Sequence, residues 1–308
     1  MLLALTLGLA LTSWAAACEP ARAPLDAPLA LVLTGGGAKG AWEAGAAAAL
    51  VERGTPVRLV AGSSAGALTA AMLADGRLDR LEALWGTVTR DHVYALRPGV
   101  FFAGLLPGWL TLVALNGAGS LLDPAPMRDL IAGAVDLERI RTSSTRLLVV
   151  TVDLVHRTPR LFDNATVTVD ALLATSAVPG AFPPVPIDGG LLVDGGITAR
   201  APVLEALSAG VGVGRALVLL SHAAAEGGQA PTNLRRTLEE AFEMAMIHQI
   251  RRDTELARFR HPDVEIQMLT PAAPLRLRPL DFDPPRMAEA FARGRADALA
   301  CLQRWQSR

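Results

Sequence analysis

The sequence predicts an α/β protein built on a parallel sheet with right-handed crossovers. Leu29-Ala30-Leu31-Val32-Leu33 and Arg58-Leu59-Val60-Ala61 are short apolar runs of the kind that form buried strands. Each ends in a glycine-marked turn and then passes into good helix formers, Ala41 to Arg53 and Ala67 to Ala74. Strand, glycine loop, helix, strand, turn, helix is the alternation that builds a parallel sheet covered by helices.

The second turn is the feature around which the chain is organised. Gly62, Ser64 and Gly66 fit G-x-S-x-G, the sharp strand-to-helix turn that lifts a serine hydroxyl above a sheet edge. The following helix start directs unpaired N–H groups to the place where an oxyanion would develop. A plain glycine turn with Ser64 as a helix cap is the simpler reading of the five residues alone.

The bulk properties narrow the class. With 308 residues, 51% hydrophobic and 19% charged, the chain is globular. A formal net charge of -1 gives no electrostatic footprint for nucleic acid. Lys39 is the only lysine, and it lies in the first glycine loop. Residues 1–17 are apolar and end in Ala15-Ala16-Ala17, which reads as an export signal. Residues 18–28 then form a proline-containing linker or tether, and 29–308 a single catalytic domain. The two cysteines leave two arrangements open: Cys18 paired with Cys301, or Cys18 acylated as a lipoprotein anchor. The expected location is outside the cytoplasm, as a periplasmic, secreted or lipid-anchored protein.

Further along, residues 79–92 continue helical. The stretch 96–122 is apolar but interrupted by prolines and glycines, too broken to span a membrane. It fits either a core helix pair or an apolar cap over a substrate channel. Asp123 is placed to cap a helix over 124–132. Strands are expected at 147–152, at 191–194 before Gly195-Gly196, at 216–220 and at 264–269, with a short one at 165–169. Helices are expected at 170–175, 202–209, 234–259 and from about 283 to 305. In the longest of these, Leu238, Phe242, Ala245, Met246 and Ile250 share one face.

A serine nucleophile needs a base. None of the five histidines follows a late strand in a glycine-marked turn, and His222, just beyond 217–220, is the best placed of them. Asp188 and Asp194 both precede glycine and compete as carboxylate bases.

With the loop Gly35-Gly36-Gly37-Ala38-Lys39-Gly40, the elbow at Ser64 and the Asp194-Gly195-Gly196 turn in that order, the chain resembles the bacterial patatin-like phospholipases. These are related to plant patatins and to the cytosolic phospholipase A2 catalytic domain. Ser176 to Pro184 and Leu121-Leu122-Asp123 are also similar to the family pattern. The resemblance implies a three-layer patatin-like fold with a mainly parallel central sheet and helices on both faces. It implies Ser64 as nucleophile and Asp194 as base of a Ser–Asp dyad. It draws the oxyanion hole from Gly35, Gly36, Gly37, Lys39, Gly40 and Ala65. The implied activity is hydrolysis of fatty acyl esters, of phospholipase A or lysophospholipase type. A phospholipid or other lipid ester is the implied substrate, met at a membrane or micelle surface, with neither metal nor cofactor required. Arg200 departs from the family, which has asparagine there.

Two other function classes compete. Gly35-x-Gly37-x-x-Gly40 also matches a dinucleotide fingerprint, but the second strand ends in Val60-Ala61-Gly62 and carries no acidic residue for a ribose. A non-catalytic envelope lipid-binding protein on a hydrolase fold is the other, against which the intact serine, aspartate and glycine loop stand.

Overall fold

A computed structural model describes residues 17–103, 110, 119–223 and 230–307. Strand β1 is Ala17–Cys18, β2 Leu29–Leu33 and β3 Val57–Gly62; helix α1 (Gly40–Glu52) joins the last two, and α2 (Ala65–Asp75) follows β3. Helices α3 (Leu78–Thr87), α4 (Arg90–Val93) and α5 (Pro98–Ala103) come next, with the short paired strands β4 (Ala95–Leu96) and β5 (Leu122–Asp123). After α6 (Ala125–Ala134) and α7 (Leu137–Thr142), β6 (Arg146–Asp153) and β7 (Thr158–Asp163) form a hairpin. Helix α8 (Val169–Ala174), a second hairpin of β8 (Val185–Ile187) and β9 (Gly190–Asp194), and α9 (Val203–Ser208) follow. The described chain closes with β10 (Arg215–Leu219), α10 (Leu234–Arg260), β11 (Glu265–Thr270) and α11 (Pro284–Gln306).

The sheet has a parallel centre in the order β11-β10-β2-β3-β6. Antiparallel strands extend it: β1 on β11, β7 and β9 on β6, and β8 on β9. Alternate residues of β2 feed two cores. Leu29, Leu31 and Leu33 pack with α1, α2 and α11, while Ala30 and Val32 pack with α9 and the second half of α10. Helices therefore cover both faces, and the fold is the three-layer arrangement expected.

Strand β6 brings the two sequence motifs together. Its first half pairs with β3, ending at Gly62 opposite Val149, and its second half pairs with β9, ending at Asp194 opposite Thr151. Residues throughout the span also pair with β7, so β3 and β9 occupy the same side of β6. One strand runs parallel and the other antiparallel, so their C-terminal ends converge. Two residues of β6, roughly 7 Å, separate the two ends.

Several elements differ from expectation. The helix over 79–92 is interrupted at Val88-Thr89, where the Thr89 N–H donates to the His92 ring and caps α4. Of residues 165–169, the first four form a turn and loop and Val169 already begins α8, and the unforeseen strand β7 precedes them. Asp123 sits in β5 rather than at the helix cap, although its carboxylate still accepts from the Ala125 N–H at 3.0 Å. The face of α10 expected to pack is buried only in part: Leu238, Phe242 and Ala245 are exposed and Met246 half-buried, whereas Ile250 is buried. Most of the apolar stretch 96–122, and residues 1–16, lie outside the described residues.

Cys18 and Cys301 form a disulfide with Cα atoms 5.8 Å apart, tying β1 to α11. Of the two arrangements left open for Cys18, this one leaves no thiol to acylate.

Helix α1 is buried along nearly its whole length, from Gly40 to Leu50. A helix apolar all round belongs inside a core, and its alanines let α11 approach until backbones touch. A Cβ on Gly45 would collide with the Phe291 carbonyl, and one on Gly294 with the Trp42 carbonyl. We predict that Gly294→Ala costs about 1–3 kcal/mol in urea unfolding, as overpacking does. Gly133→Ala, in α6 with nothing within 4 Å of the added carbon, should be neutral or stabilise by up to about 1 kcal/mol. Equal effects at the two positions would contradict the close crossing.

Candidate active site

The elbow forms because Gly62 ends β3 and α2 starts at Ala65, leaving Ser63 and Ser64 to reverse direction. Ser64 is forced to φ 53°, a left-handed conformation that costs an ordinary residue energy and persists only where its surroundings hold it. Thr175 does the holding. The Ser64 N–H donates to the Thr175 carbonyl at 3.1 Å and to its hydroxyl at 3.0 Å, and that hydroxyl donates to the Val150 carbonyl at 2.6 Å. Two residues on, the Ala177 carbonyl accepts from the Asp194 N–H at 3.0 Å. The segment after α8 therefore positions both serine and aspartate. A third tie runs from the Ser63 hydroxyl to the Arg200 carbonyl at 2.9 Å.

Ser64 and Asp194 are both buried, 8% and 3% exposed. Asp194 Oδ1 accepts from the Gly196 N–H at 2.7 Å, and Oδ2 is enclosed with no partner of hydrogen-bonding geometry. Burial raises the Asp194 carboxyl above its usual range, opposed by the Arg200 charge, the Gly196 N–H and the Ser64 hydroxyl. The Ser64 hydroxyl thus lies within electrostatic reach of the Asp194 carboxylate. Asp188 lies elsewhere: it is on the surface, paired with Arg160.

The six residues of the expected oxyanion hole divide into two groups. The Gly35 N–H is spent on Glu43 Oε2 at 3.0 Å, the Lys39 N–H on the Gly36 carbonyl, and the Gly40 N–H on the Ala38 and Gly37 carbonyls. The N–H groups of Gly36, Gly37 and Ala65 meet no acceptor among the described residues. The loop can adopt this form because Gly35, Gly36 and Gly37 all have positive φ, up to 124° at Gly36.

Lys39 is buried and paired with Glu243 of α10, which also has His222 within 3.6 Å. Burial alone would raise the Glu243 carboxyl, but His222 and Lys39 hold it down to about 2. His222 thus belongs to this ionic cluster rather than to the Ser64–Asp194 contact. Arg200 is half-buried and lines the cavity beside Gly36 and Gly196.

Sequence reasoning missed Glu43, one turn into α1. It is fully buried, and its Oε1 accepts from the Thr34 hydroxyl at 2.6 Å. Burial pushes its carboxyl from the usual 4.5 up to about 7, against Thr34, Gly35, Ser221 and the Arg200 charge. The only sequence signal was one acid inside a run of alanines and glycines.

Ser64 opens onto a cavity of about 800 Å³. Its walls are mainly apolar, including Leu84, Trp85, Val88, Ile131 and Phe182. Leu238, Phe242 and Leu280 line it and are also exposed, so large apolar side chains stand at its rim beside the charged Glu240 and Arg278. Among the described residues, no group of three or more His, Cys, Asp or Glu is placed to hold a metal ion.

Comparison with known proteins places this geometry in context. The family model described as patatin-like phospholipase matches residues 31–207. Uncharacterized NTE family proteins of Mycobacterium tuberculosis and Mycobacterium bovis are 34% identical over 176 residues, 57% of this chain and 44% of theirs. The chain therefore spans less than half the length of these relatives. Among solved structures, VipD from Legionella pneumophila overlaps 95% of this chain and 70% of its own at 16% identity, with a TM-score of 0.46. The type III effector protein ExoU overlaps 92% of this chain and 54% of its own at 20% identity, with a TM-score of 0.32.

The raised Glu43 carboxyl has a consequence for stability. A group that holds its proton more tightly folded than unfolded stabilises fully below its unfolded value, and that contribution is lost as pH rises through the folded one. For Glu43 the window runs from 4.5 to about 7. We predict that the unfolding free energy of Glu43→Gln, relative to wild type, shifts in the variant's favour by roughly 3 kcal/mol between pH 4.5 and 8. A difference that stays flat across urea melts at those pH values would refute the raised value.

Proposed function

The chain belongs to the patatin-like phospholipase family, and on that premise we propose that it is a serine-dependent lipid acyl hydrolase working through a Ser64–Asp194 dyad. The observation that carries this reading is the junction at β6. A strained serine there meets a buried aspartate with an open oxygen, beside three unspent N–H groups.

In this reading the Ser64 hydroxyl attacks the ester carbonyl and Asp194 takes its proton. The negative charge on the carbonyl oxygen falls to the N–H groups of Gly36, Gly37 and Ala65. Collapse of the tetrahedral intermediate breaks the ester C–O bond, and Asp194 returns the proton to the departing alcohol. Water, deprotonated by Asp194, then attacks the acyl-serine; the acyl C–Oγ bond breaks, Asp194 returns the proton to Ser64 and the fatty acid leaves. A carboxylate is a weak base in water, and the desolvation that raises Asp194 suits it to this work.

The apolar cavity favours a fatty acyl chain as the group bound beside Ser64. The exposed Leu238, Phe242 and Leu280 favour delivery from a membrane or micelle surface, where these side chains need not be wetted. Phospholipase A or lysophospholipase action is the subtype we propose. Export from the cytoplasm belongs to the same reading, with the Cys18–Cys301 disulfide in its favour.

Fatty-acid release from phospholipid, lysophospholipid and p-nitrophenyl ester micelles tests the dyad. We expect Ser64→Ala and Asp194→Asn each to lose about 10³-fold or more in kcat with their melting temperatures retained. Labelling by a fluorophosphonate probe should vanish in Ser64→Ala. Near-full activity in Asp194→Asn would remove the aspartate from the mechanism, and a wild-type enzyme silent on every ester would remove the hydrolase reading itself.

A further inference from the structure

The dyad leaves one fully buried ionisable group at the site without a part in the chemistry, Glu43. Building on the hydrolase reading, we propose that Glu43 and Ser221 are positioning residues that aim the Gly36 N–H into the oxyanion hole. A peptide group is planar, so the Gly35 carbonyl and the Gly36 N–H belong to one rigid plate and point opposite ways. Ser221 Oγ donates to that carbonyl at 3.1 Å and holds the plate from behind. Glu43 Oε2 accepts from the Gly35 N–H at 3.0 Å and holds the plate before it. Ser221 also lies near enough to Glu43 to favour its ionised form.

The loop needs such clamps because three successive glycines have few steric limits of their own. Glu43 reaches them because side chains on a helix lean toward its N-terminus, and the loop enters α1 at that end. Burying a carboxylate there is costly unless its oxygens are satisfied. Two hydrogen-bond donors, Thr34 and Gly35, meet the two oxygens separately.

Protonation changes the clamp. An ionised carboxylate only accepts, whereas a carboxylic acid must turn one oxygen into a donor. Protonated Glu43 therefore holds the Gly35 N–H through a neutral, weaker acceptor, while the Thr34 hydroxyl turns round to receive its proton. From β2 and from the segment after β10 it meets hydroxyls, Thr34 and Ser221. Among the described residues, the charged side chain that acts on it is Arg200, from the turn after β9. Arg200 faces Asp194 as well, so its charge favours the ionised form of both carboxylates. Turnover accordingly rises with pH as Glu43 ionises, separately from the ionisation of Asp194.

The test compares wild type, Glu43→Gln, Glu43→Ala and Ser221→Ala on a p-nitrophenyl ester between pH 5 and 9, with kcat and KM resolved. Loss of an aligned oxyanion donor predicts a fall in kcat of about tenfold or more for Glu43→Ala at pH 8, with KM within about twofold. Glu43→Gln keeps one acceptor and should recover part of kcat, while its profile loses the wild-type component near neutral pH. Should Glu43→Ala not fold, Ser221→Ala carries the same kcat expectation from the other side of the plate.

A second arm needs no turnover. With ¹⁵N-glycine labelling, the Gly35 N–H resonance should move with pH near neutrality in wild type and stay fixed in Glu43→Gln. Unchanged kcat and pH profiles in all three variants, or a Gly35 resonance indifferent to pH, would overturn the clamp. A titrating Gly35 resonance in a protein that cleaves no ester would support the clamp and sink the hydrolase reading instead.

Discussion

The site depends on the way two strands share one side of β6. Strand β3 occupies it as far as Val149 and β9 from Thr151, and they run in opposite senses. Their C-terminal ends must therefore converge, and each end carries its functional residue just beyond the last ladder pair or on it. Gly195 sits so close that a Cβ there would strike the Val150 carbonyl, the group opposite the gap between the strands. Neither the serine elbow nor the aspartate turn would make a site alone. Their meeting is a property of sheet register, which hydrogen bonds and buried side chains determine jointly.

Around that junction the charges are balanced rather than neutralised one to one. Two buried carboxylates, Asp194 and Glu43, both pushed up by burial, share the influence of one guanidinium, Arg200. The other charged pair, Lys39 with Glu243, lies beside His222. Lys39 therefore acts through a partner on α10, anchoring that helix to the loop, and its charge is not left unopposed in the cavity.

What could be read from the chain was what is local. Strand ends at Leu33 and Ala61, the elbow at Ser64 and the turn after Asp194 are short patterns whose residues lie next to one another. Glu43 could not be read, because an acid among alanines on a helix has the pattern of an exposed charge. Only its partners Thr34 and Gly35, at the end of β2, show that the position is interior. Leu238 and Phe242 failed in the opposite direction. Their spacing is that of a packed face, yet they overhang the cavity, where no neighbour covers them fully. Strand β7 was hidden because Thr158-Pro159-Arg160-Leu161-Phe162-Asp163 has no unbroken apolar run and its pairing with β6 depends on the partner. Asp188 and Asp194 have nearly identical local contexts, and only the ladder separates them, one on a hairpin turn and one beside β6.

The same residues also show why the site must be stabilised from elsewhere. Left-handed Ser64, two desolvated carboxylates and N–H groups without acceptors all work against folding. The compensation lies behind the site, in α1 pressed between the sheet and α11 with backbones in contact at Gly45 and Gly294. That packing depends on alanine and glycine in α1, since larger side chains would hold α11 away from the sheet. The alanine-rich helix and the glycine loop are therefore parts of one device. The helix brings its backbone and Glu43 to the loop at close range, and the loop spends that proximity on the orientation of a single peptide plane.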